Sequence, residues 1–310
     1  MNKYIIGIDV GGTNVKFGLL NTRAKIIDRT RLNTKAFARH PKKLIAAIID
    51  AIRQLMAKNK LSHQQILGIG IGLPGAVDPQ KGIVKSLPNI PNWKNVPLKK
   101  MMQSRLSIPV FLDNDAKLIV LGEWKFGAGK GYENLICITL GTGVGGGLIL
   151  NNALYRGENF VAGEIGHMPL NEMGPACPCG GWGCFERYVG NATLLAQAQK
   201  VFVSKQLTLE SVFERANRGD KRAIRFWKNT GEHIGNALVG AVNLLNPQLI
   251  VIGGGVANNF KFLKSSIGDV IQKRAMKVQA QHVRIVCAKL GDDAGLLGAF
   301  ALIKEFTIER

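Results

Sequence analysis

Four residues near the middle of the chain have the types and spacing of a metal site: His167, then Cys177, Cys179 and Cys184. One imidazole and three thiolates suit a tetrahedral zinc ion. Gly180, Gly181 and Gly183 would let the backbone wrap it. Three cysteines so close together seldom serve as core filler. Four protein ligands close the coordination sphere, so the zinc is expected to be structural rather than catalytic. The chain has five cysteines. An odd number with three bunched together is a poor disulfide framework and fits a reducing compartment. Cys137 and Cys287 stand in apolar runs and read as core; His40, His63, His233 and His282 have no comparable setting.

A second set of residues suits phosphate. In Asp9-Val10-Gly11-Gly12-Thr13, glycines at a strand turn let backbone N–H groups approach phosphate oxygens. Thr13 adds a hydroxyl, Lys16 a positive charge, and Asp9 a carboxylate for Mg²⁺. Alone, an ordinary hairpin turn would explain it. Gly141, Thr142 and Gly143, within Leu140–Gly147, form a second such loop, and Gly253, Gly254 and Gly255 a third after an apolar run. Three glycine turns suit a nucleotide gripped from two lobes. No GxGxxG with an acid some 20 residues later follows the first strand, and no GxxxxGK[ST] occurs, so dinucleotide and P-loop readings drop. Asp113-Asn114-Asp115 stands between an apolar strand and a helix pattern. One residue, Asp113 or Asn114, is enough to cap the helix. A remaining carboxylate can take the proton of a hydroxyl that attacks phosphorus, and Asn114 can bond a neighbouring hydroxyl.

The elements that must hold these residues alternate in type. Apolar runs at 3–9 and 14–20 flank the first glycine turn, and 135–150 repeats that strand–turn–strand opening. Residues 42–58 carry a helical apolar stripe; 65–72, 109–112, 248–252 and 283–288 read as strands. Helical patterns occupy most of 187–245, with a break near 217–220, and recur at 261–276 and 292–306. Strands alternating with helices predict α/β layering, as two like-built lobes facing a cleft. The expected lobes are 1–118, with helix 292–310 packing back on it, and 119–291.

Composition narrows the class. Hydrophobic residues make up 46% of 310, enough for a sizeable core. No run of about 18 uncharged apolar residues occurs, and the opening MNKYIIGIDVGGTN lacks the form of a signal peptide, so a cytoplasmic protein with no membrane partner is expected. The net charge is +20, and residues 1–60 hold 13 basic against 3 acidic side chains. The charges are scattered without interleaved aromatics, so a solvated surface explains them better than a nucleic-acid partner.

At these residues the chain resembles the ROK family, which contains sugar kinases and sugar-responsive repressors. The likeness runs through DVGGT at 9–13, PG at 74–75, PNIPNW at 88–93, NDA at 114–116, LGTGVGGG at 140–147 and GEIGH at 163–167. It continues through CPCGGWGC at 177–184, ERY at 186–188, NPQLIVIGGG at 246–255 and GDDAGLLGA at 291–299. The resemblance implies an actin-like ATPase (ribonuclease H-like) fold and ATP with Mg²⁺ as phosphoryl donor; many small two-lobed α/β kinases pair, so a homodimer is expected. The resemblance also implies Asp115 as general base and places sugar hydroxyls against Asn89, Asn114, Glu164, His167 and Glu186, with the histidine both ligating zinc and touching sugar. Segment 87–98 is similar to the glucokinase branch, which implies glucose as substrate. Kinases for N-acetylmannosamine, N-acetylglucosamine or fructose are alternatives within the family; a sugar sensor without turnover is an alternative of another class, and a kinase that uses polyphosphate in place of ATP is a third reading that draws on the +20 net charge. Repressor members carry a helix-turn-helix ahead of the first hairpin, which here begins almost at Met1. Where the family usually has asparagine, two residues after the base, this chain has Lys117, expected to face solvent.

Overall fold

Each half of the chain builds a five-stranded sheet around an apolar strand that ends in a glycine turn. A computed structural model describes residues 2–33, 37, 40–87 and 92–308. They fall into two units, Met1–Lys130 with Arg156–Ala162 and Asp292–Arg310, and Gly131–Tyr155 with Gly163–Gly291.

In the first unit, β1 (Tyr4–Val10) and β2 (Asn14–Asn21) form the first hairpin and β3 (Ile26–Asn33) extends it antiparallel. After α1 (Pro41–Lys58), β4 (Ile66–Leu73) returns parallel to β1. A small sheet of β5 (Ala76–Asp78), β6 (Ile83–Ser86) and β7 (Lys94–Val96) leads through α2 (Leu98–Leu106) to β8 (Val110–Asn114), parallel to β4. The strand order is β3-β2-β1-β4-β8, and α3 (Asp115–Phe126) leaves the end of β8. β1 is apolar on both faces because both faces are covered. One cover is α1, whose Leu44, Ile45, Ile48, Ile49, Ile52 and Leu55 make one buried stripe. Full burial of each such side chain contributes about 1.5–3 kcal/mol. Pro41 opens α1 with a preset φ, and Lys60, at φ +54°, reverses the chain at its end.

The second unit repeats the plan. β9 (Leu135–Leu140) and β10 (Val144–Leu150) form a hairpin extended by β11 (Ala153–Tyr155). Helices α4 (Glu186–Val189), α5 (Asn191–Phe202), α6 (Leu209–Asn217) and α7 (Lys221–Leu245) precede β12 (Leu249–Gly253). Then α8 (Phe260–Arg274), α9 (Lys277–His282) and β13 (Arg284–Cys287) close the order β11-β10-β9-β12-β13. The break expected near 217–220 is the α6–α7 turn, where the Asp220 side chain accepts from the N–H groups of Arg222 and Ala223. Among the described residues, no helix is long and apolar enough to cross a membrane.

The last helix, α10 (Ala294–Ile308), covers the other face of the first sheet. It lies so close that a Cβ on Gly70 would stand 2.5 Å from the Ala299 carbonyl, and one on Gly298 would overlap the Leu118 carbonyl of α3. A boundary at 118, as expected from sequence, would cut α3; the units divide after Lys130. Strands β3, β5, β6 and β7 and helix α2 carry no apolar period strong enough to announce them.

Candidate functional site

The turn between β1 and β2 is open on its outer side. Gly11 N–H donates to Asn14 O at 2.9 Å, and a Cβ on Gly12 would meet nothing within 4 Å. Asp9 and Lys16 face each other across the hairpin, and Lys16 Nζ donates to Asp292 Oδ1 at 3.0 Å. Burial raises the Asp9 pKa, Lys16 opposes that shift, and Asp292 adds to it. Asp9, Lys16 and Asp292 thus form one charged cluster just ahead of α10. Lys16, expected to meet phosphate, spends its charge on Asp292 in this state. Asp292 escaped the sequence reading, although the acidic pair before an apolar helix was visible.

At the end of β8 the three polar residues divide their tasks. Asn114 is the helix cap: its Oδ1 accepts from Lys117 N at 3.2 Å, and its Nδ2 donates to Gly75 O at 3.1 Å. Asp113 is fully buried, and its Oδ2 accepts from Arg156 Nε at 2.8 Å. Arg156 Nη2 also reaches Glu305 at 2.9 Å. Burial alone would lower the Arg156 pKa, but Asp113 and Glu305 outweigh it and the net shift is upward. Asp115, the first residue of α3, is part-exposed, and its Oδ1 accepts from Ala116 N at 2.8 Å. A carboxylate in a first helical turn is favoured by the helix dipole.

Lys117 does not face solvent. It is 2% exposed, and its Nζ donates to the carbonyl of Phe160 at 3.0 Å. Phe160 sits at φ +64° within the strap Arg156–Ala162, so Lys117 and Arg156 fasten the two ends of that strap to the first unit. No local pattern near Lys117 or Arg156 signals this, because both partners are distant in sequence.

In the second unit the β9–β10 turn is held from beneath. Gly141 N–H donates to Gly143 O, Asn191 N–H to Gly141 O, and Val144 N–H to Glu186 Oε2 at 2.8 Å. A Cβ on Gly143 would overlap that carboxylate. Glu186, expected at the sugar, also braces the Gly141–Gly143 loop, with Thr142 at its tip. Glu164 and His167 are exposed on a short turn at Ile165–His167, which lies against β10 because Gly166 leaves room for the Val144 carbonyl. Gly254, at φ +82°, packs on the Leu140 backbone and begins the turn into α8 together with Gly255. Asn89 lies outside the described residues.

His167, Cys177, Cys179 and Cys184 converge. Their ligand atoms all lie within 4.8 Å of one another. His167 Nδ1 is 3.7 Å from Cys177 Sγ, and Cys179 Sγ is 3.6 Å from Cys184 Sγ. Zn–S bonds of about 2.3 Å in a tetrahedron set neighbouring sulfurs about 3.8 Å apart, and these two contacts are close to that spacing. The loop is folded for it: Cys177 N–H donates to Gly181 O, and Pro169 and Cys184 form a bridge. Gly183, at φ +60°, fits against the Asn171 carbonyl, where no side chain would. A hydrogen bond from Gly181 N–H lowers the Cys179 thiol to about 7, whereas burial pushes Cys184 up to about 12. A bound dication removes both protons.

Comparison with known proteins agrees with this geometry. The ROK family pattern matches residues 5–306. The chain is 32% identical to a glucokinase of Thermotoga maritima over 97% of each chain. It is 30% identical to a xylose repressor of Caldicellulosiruptor bescii, over 96% of this chain and 77% of the repressor. A crystal structure of a ROK family glucokinase from Streptomyces griseus, in complex with glucose and AMPPNP, superposes with a TM-score of 0.81 at 30% identity, covering 97% of this chain and 99% of that one. The match runs from β1 with Asp9 to α10 behind Asp292, through both glycine hairpins and the cysteine loop: the chain belongs to the ROK family and has its actin-like ATPase (ribonuclease H-like) fold.

Proposed function

We propose that the protein transfers the γ-phosphoryl group of ATP to the 6-hydroxyl of glucose. The observation that carries this reading is the division of labour at β8. Asn114 caps the helix, Asp113 pairs with the buried Arg156, and Asp115 presents a part-exposed carboxylate on the first turn of α3, at the end of the strand. In this reading Asp115 accepts the hydroxyl proton as the sugar oxygen attacks the γ-phosphorus, and ADP leaves. Asn114, Glu164, His167, Glu186 and, outside the described residues, Asn89 orient the sugar. Gly11, Gly12, Thr13, Gly141, Thr142, Gly143, Gly254 and Gly255 offer backbone and hydroxyl donors to the nucleotide. Lys16 and Asp9 complete that set, Asp9 as the holder of Mg²⁺, which offsets phosphate charge when bound. His167, Cys177, Cys179 and Cys184 hold a structural zinc whose chemistry is to fix the loop, and with it the face of His167. None of the five cysteines forms a disulfide, which fits a cytoplasmic protein. We also read the protein as a homodimer, which light scattering on the purified chain checks.

Coupled detection of ADP over a panel of sugars tests the reading. Glucose is expected to be best, with N-acetylmannosamine and N-acetylglucosamine at least about tenfold lower in kcat/KM, a gap near 1.4 kcal/mol. A site that hydrogen-bonds a 2-hydroxyl leaves polar groups unpaired when an acetamide takes its place. Fructose and polyphosphate as replacement substrates belong in the same panel. Sugar binding without ADP release would favour a sugar sensor without turnover.

A further inference from the structure

Two residues past His167, and again two residues past Glu186, the chain enters the wall of a second cavity, one of about 390 Å³. That volume suits a small metabolite. Pro169, Leu170 and Asn171 form part of the wall, and Tyr188 of α4 another part. On α7, His233, Asn236 and Val239 recur every three residues and so share one face, which also lines it. Arg274 joins them from the last turn of α8. The Tyr188 and His233 rings stand 5.3 Å apart, so α4 packs on α7 at this place. The 168–170 segment is tied to the cysteine loop: Leu170 N–H donates to Gly183 O, and Phe185 N–H to Met168 O.

The polar groups of this wall are of two kinds. Tyr188, Asn236 and a neutral imidazole can each donate and accept. Burial lowers the His233 pKa against the pull of Glu232, so that imidazole is neutral. Asn171 adds an amide whose Oδ1 already accepts from Met173 N–H at 2.9 Å. Arg274 is the cation; it is exposed and enters no ion pair among the described residues. Among the described residues of the wall there is no carboxylate. Asn236 Oδ1 is shut off from solvent without a hydrogen-bond partner among the described residues, which buried acceptors normally have. The last torsion of an asparagine is soft, so a half-turn of the amide presents that oxygen to a donor in the cavity. Hydroxyls, which donate and accept, complement the first kind of group. A phosphate complements the guanidinium.

We propose that this cavity binds a hexose phosphate as an effector, with its phosphate on Arg274 and its hydroxyls on Tyr188, His233 and Asn236. Glucose 6-phosphate, the product of the proposed reaction, has this chemistry, and that choice of ligand rests on the kinase reading. A ligand lodged there bears on α4 and so on Glu186, whose carboxylate accepts from Val144 N–H. Occupancy thus loosens the brace of the β9–β10 turn and slows turnover.

Calorimetry with glucose 6-phosphate tests this on protein held at saturating glucose, so that the product does not compete for the sugar contacts. About one glucose 6-phosphate per chain is expected. Arg274→Gln and Asn236→Leu should each weaken that binding by at least about tenfold, the scale of one lost polar contact, and leave kcat unchanged. In the ADP-coupled assay, glucose 6-phosphate should inhibit in a way that high glucose does not relieve, and Arg274→Gln should abolish that inhibition. Arg274 is exposed, so this variant keeps its fold. No binding at saturating glucose overturns the proposal, as does an Arg274→Gln protein that binds like the wild type. Inorganic phosphate bound as tightly as the ester overturns it too, because the hydroxyls would then go unread. A protein that binds the ester in this arginine-dependent way yet releases no ADP with any sugar sinks the kinase reading and leaves the cavity standing; full turnover without the second site sinks the cavity alone.

Discussion

Asp115 stands part-exposed on the first turn of α3, beside two residues with structural tasks. The cap is made by Asn114 and the buried charge pair by Asp113, so replacing Asp115 removes chemistry before it removes structure. Asp115→Asn keeps an oxygen for the Ala116 N–H and is expected to retain its unfolding temperature and sugar affinity. Its kcat should fall by roughly two orders of magnitude or more, the usual contribution of a general base. Turnover near the wild-type rate would assign the proton to another group. Asp9 is the opposite case, a side chain whose ionised form strains the fold. Burial raises its pKa in the folded state above the ordinary carboxylate value of 3.8, against the pull of Lys16. An acid with a raised folded pKa costs stability when ionised, and the cost fades as pH falls through that pKa. Asp9→Asn should therefore unfold at a higher temperature than the wild type at neutral pH, with the difference shrinking in acid, while Mg²⁺-dependent turnover is lost. Equal or lower thermal stability at pH 7 would contradict this. The places of Asp115 and Asp9 were legible in sequence, because each stands near the end of an apolar strand where a polar residue needs a reason. Asp292, Arg156 and Lys117 were not. Their roles depend on partners 276, 43 and 43 residues away, and a lysine in a first helical turn reads as solvated until the strap is seen above it.

Two loops illustrate what an element adds to its residues. The cysteine loop was readable because all four donors fall within one short stretch and the glycines that shape it lie among them. Metal binding to such a loop is coupled to its folding. Purified protein is expected to carry about one zinc per chain, and Cys179→Ala to lose both the metal and thermal stability; elemental analysis that finds no zinc in the wild type would refute the assignment. The strap Arg156–Ala162 gave no sequence signal, since it has neither apolar period nor regular structure and is defined by the charges that fasten it. Arg156 is 16% exposed and Asp113 1%, so removal of the arginine strands a buried carboxylate. Arg156→Met should lower the unfolding free energy by about 3–5 kcal/mol in denaturant titration, the cost of breaking a buried pair from one side. A loss under 1 kcal/mol would mean that water reaches Asp113. The small sheet of β5, β6 and β7 was missed for a related reason: strands of three or four residues are too short for an alternating pattern to stand out.

At the scale of the whole molecule, the two units share one strand order, each with a glycine hairpin at its centre and parallel strands beyond it. The likeness of 5–20 to 135–150 foreshadowed that duplication, whereas the extent of each unit was not legible: α3 and the strap are assigned by packing against α10 and Asp113, contacts that no local pattern encodes. The family's fold explains why a carboxylate at the end of β8 and glycine turns after β1, β9 and β12 occur in one chain, because phosphoryl transfer is carried mainly by positioning and charge. The central claim is that this machinery delivers phosphorus to a sugar oxygen. Phosphorus NMR of the protein with ATP, Mg²⁺ and glucose tests it most directly. The predicted result is a 6-phosphate ester of glucose that appears mole for mole with ADP. ADP accompanied only by inorganic phosphate, or ATP left intact, would contradict it.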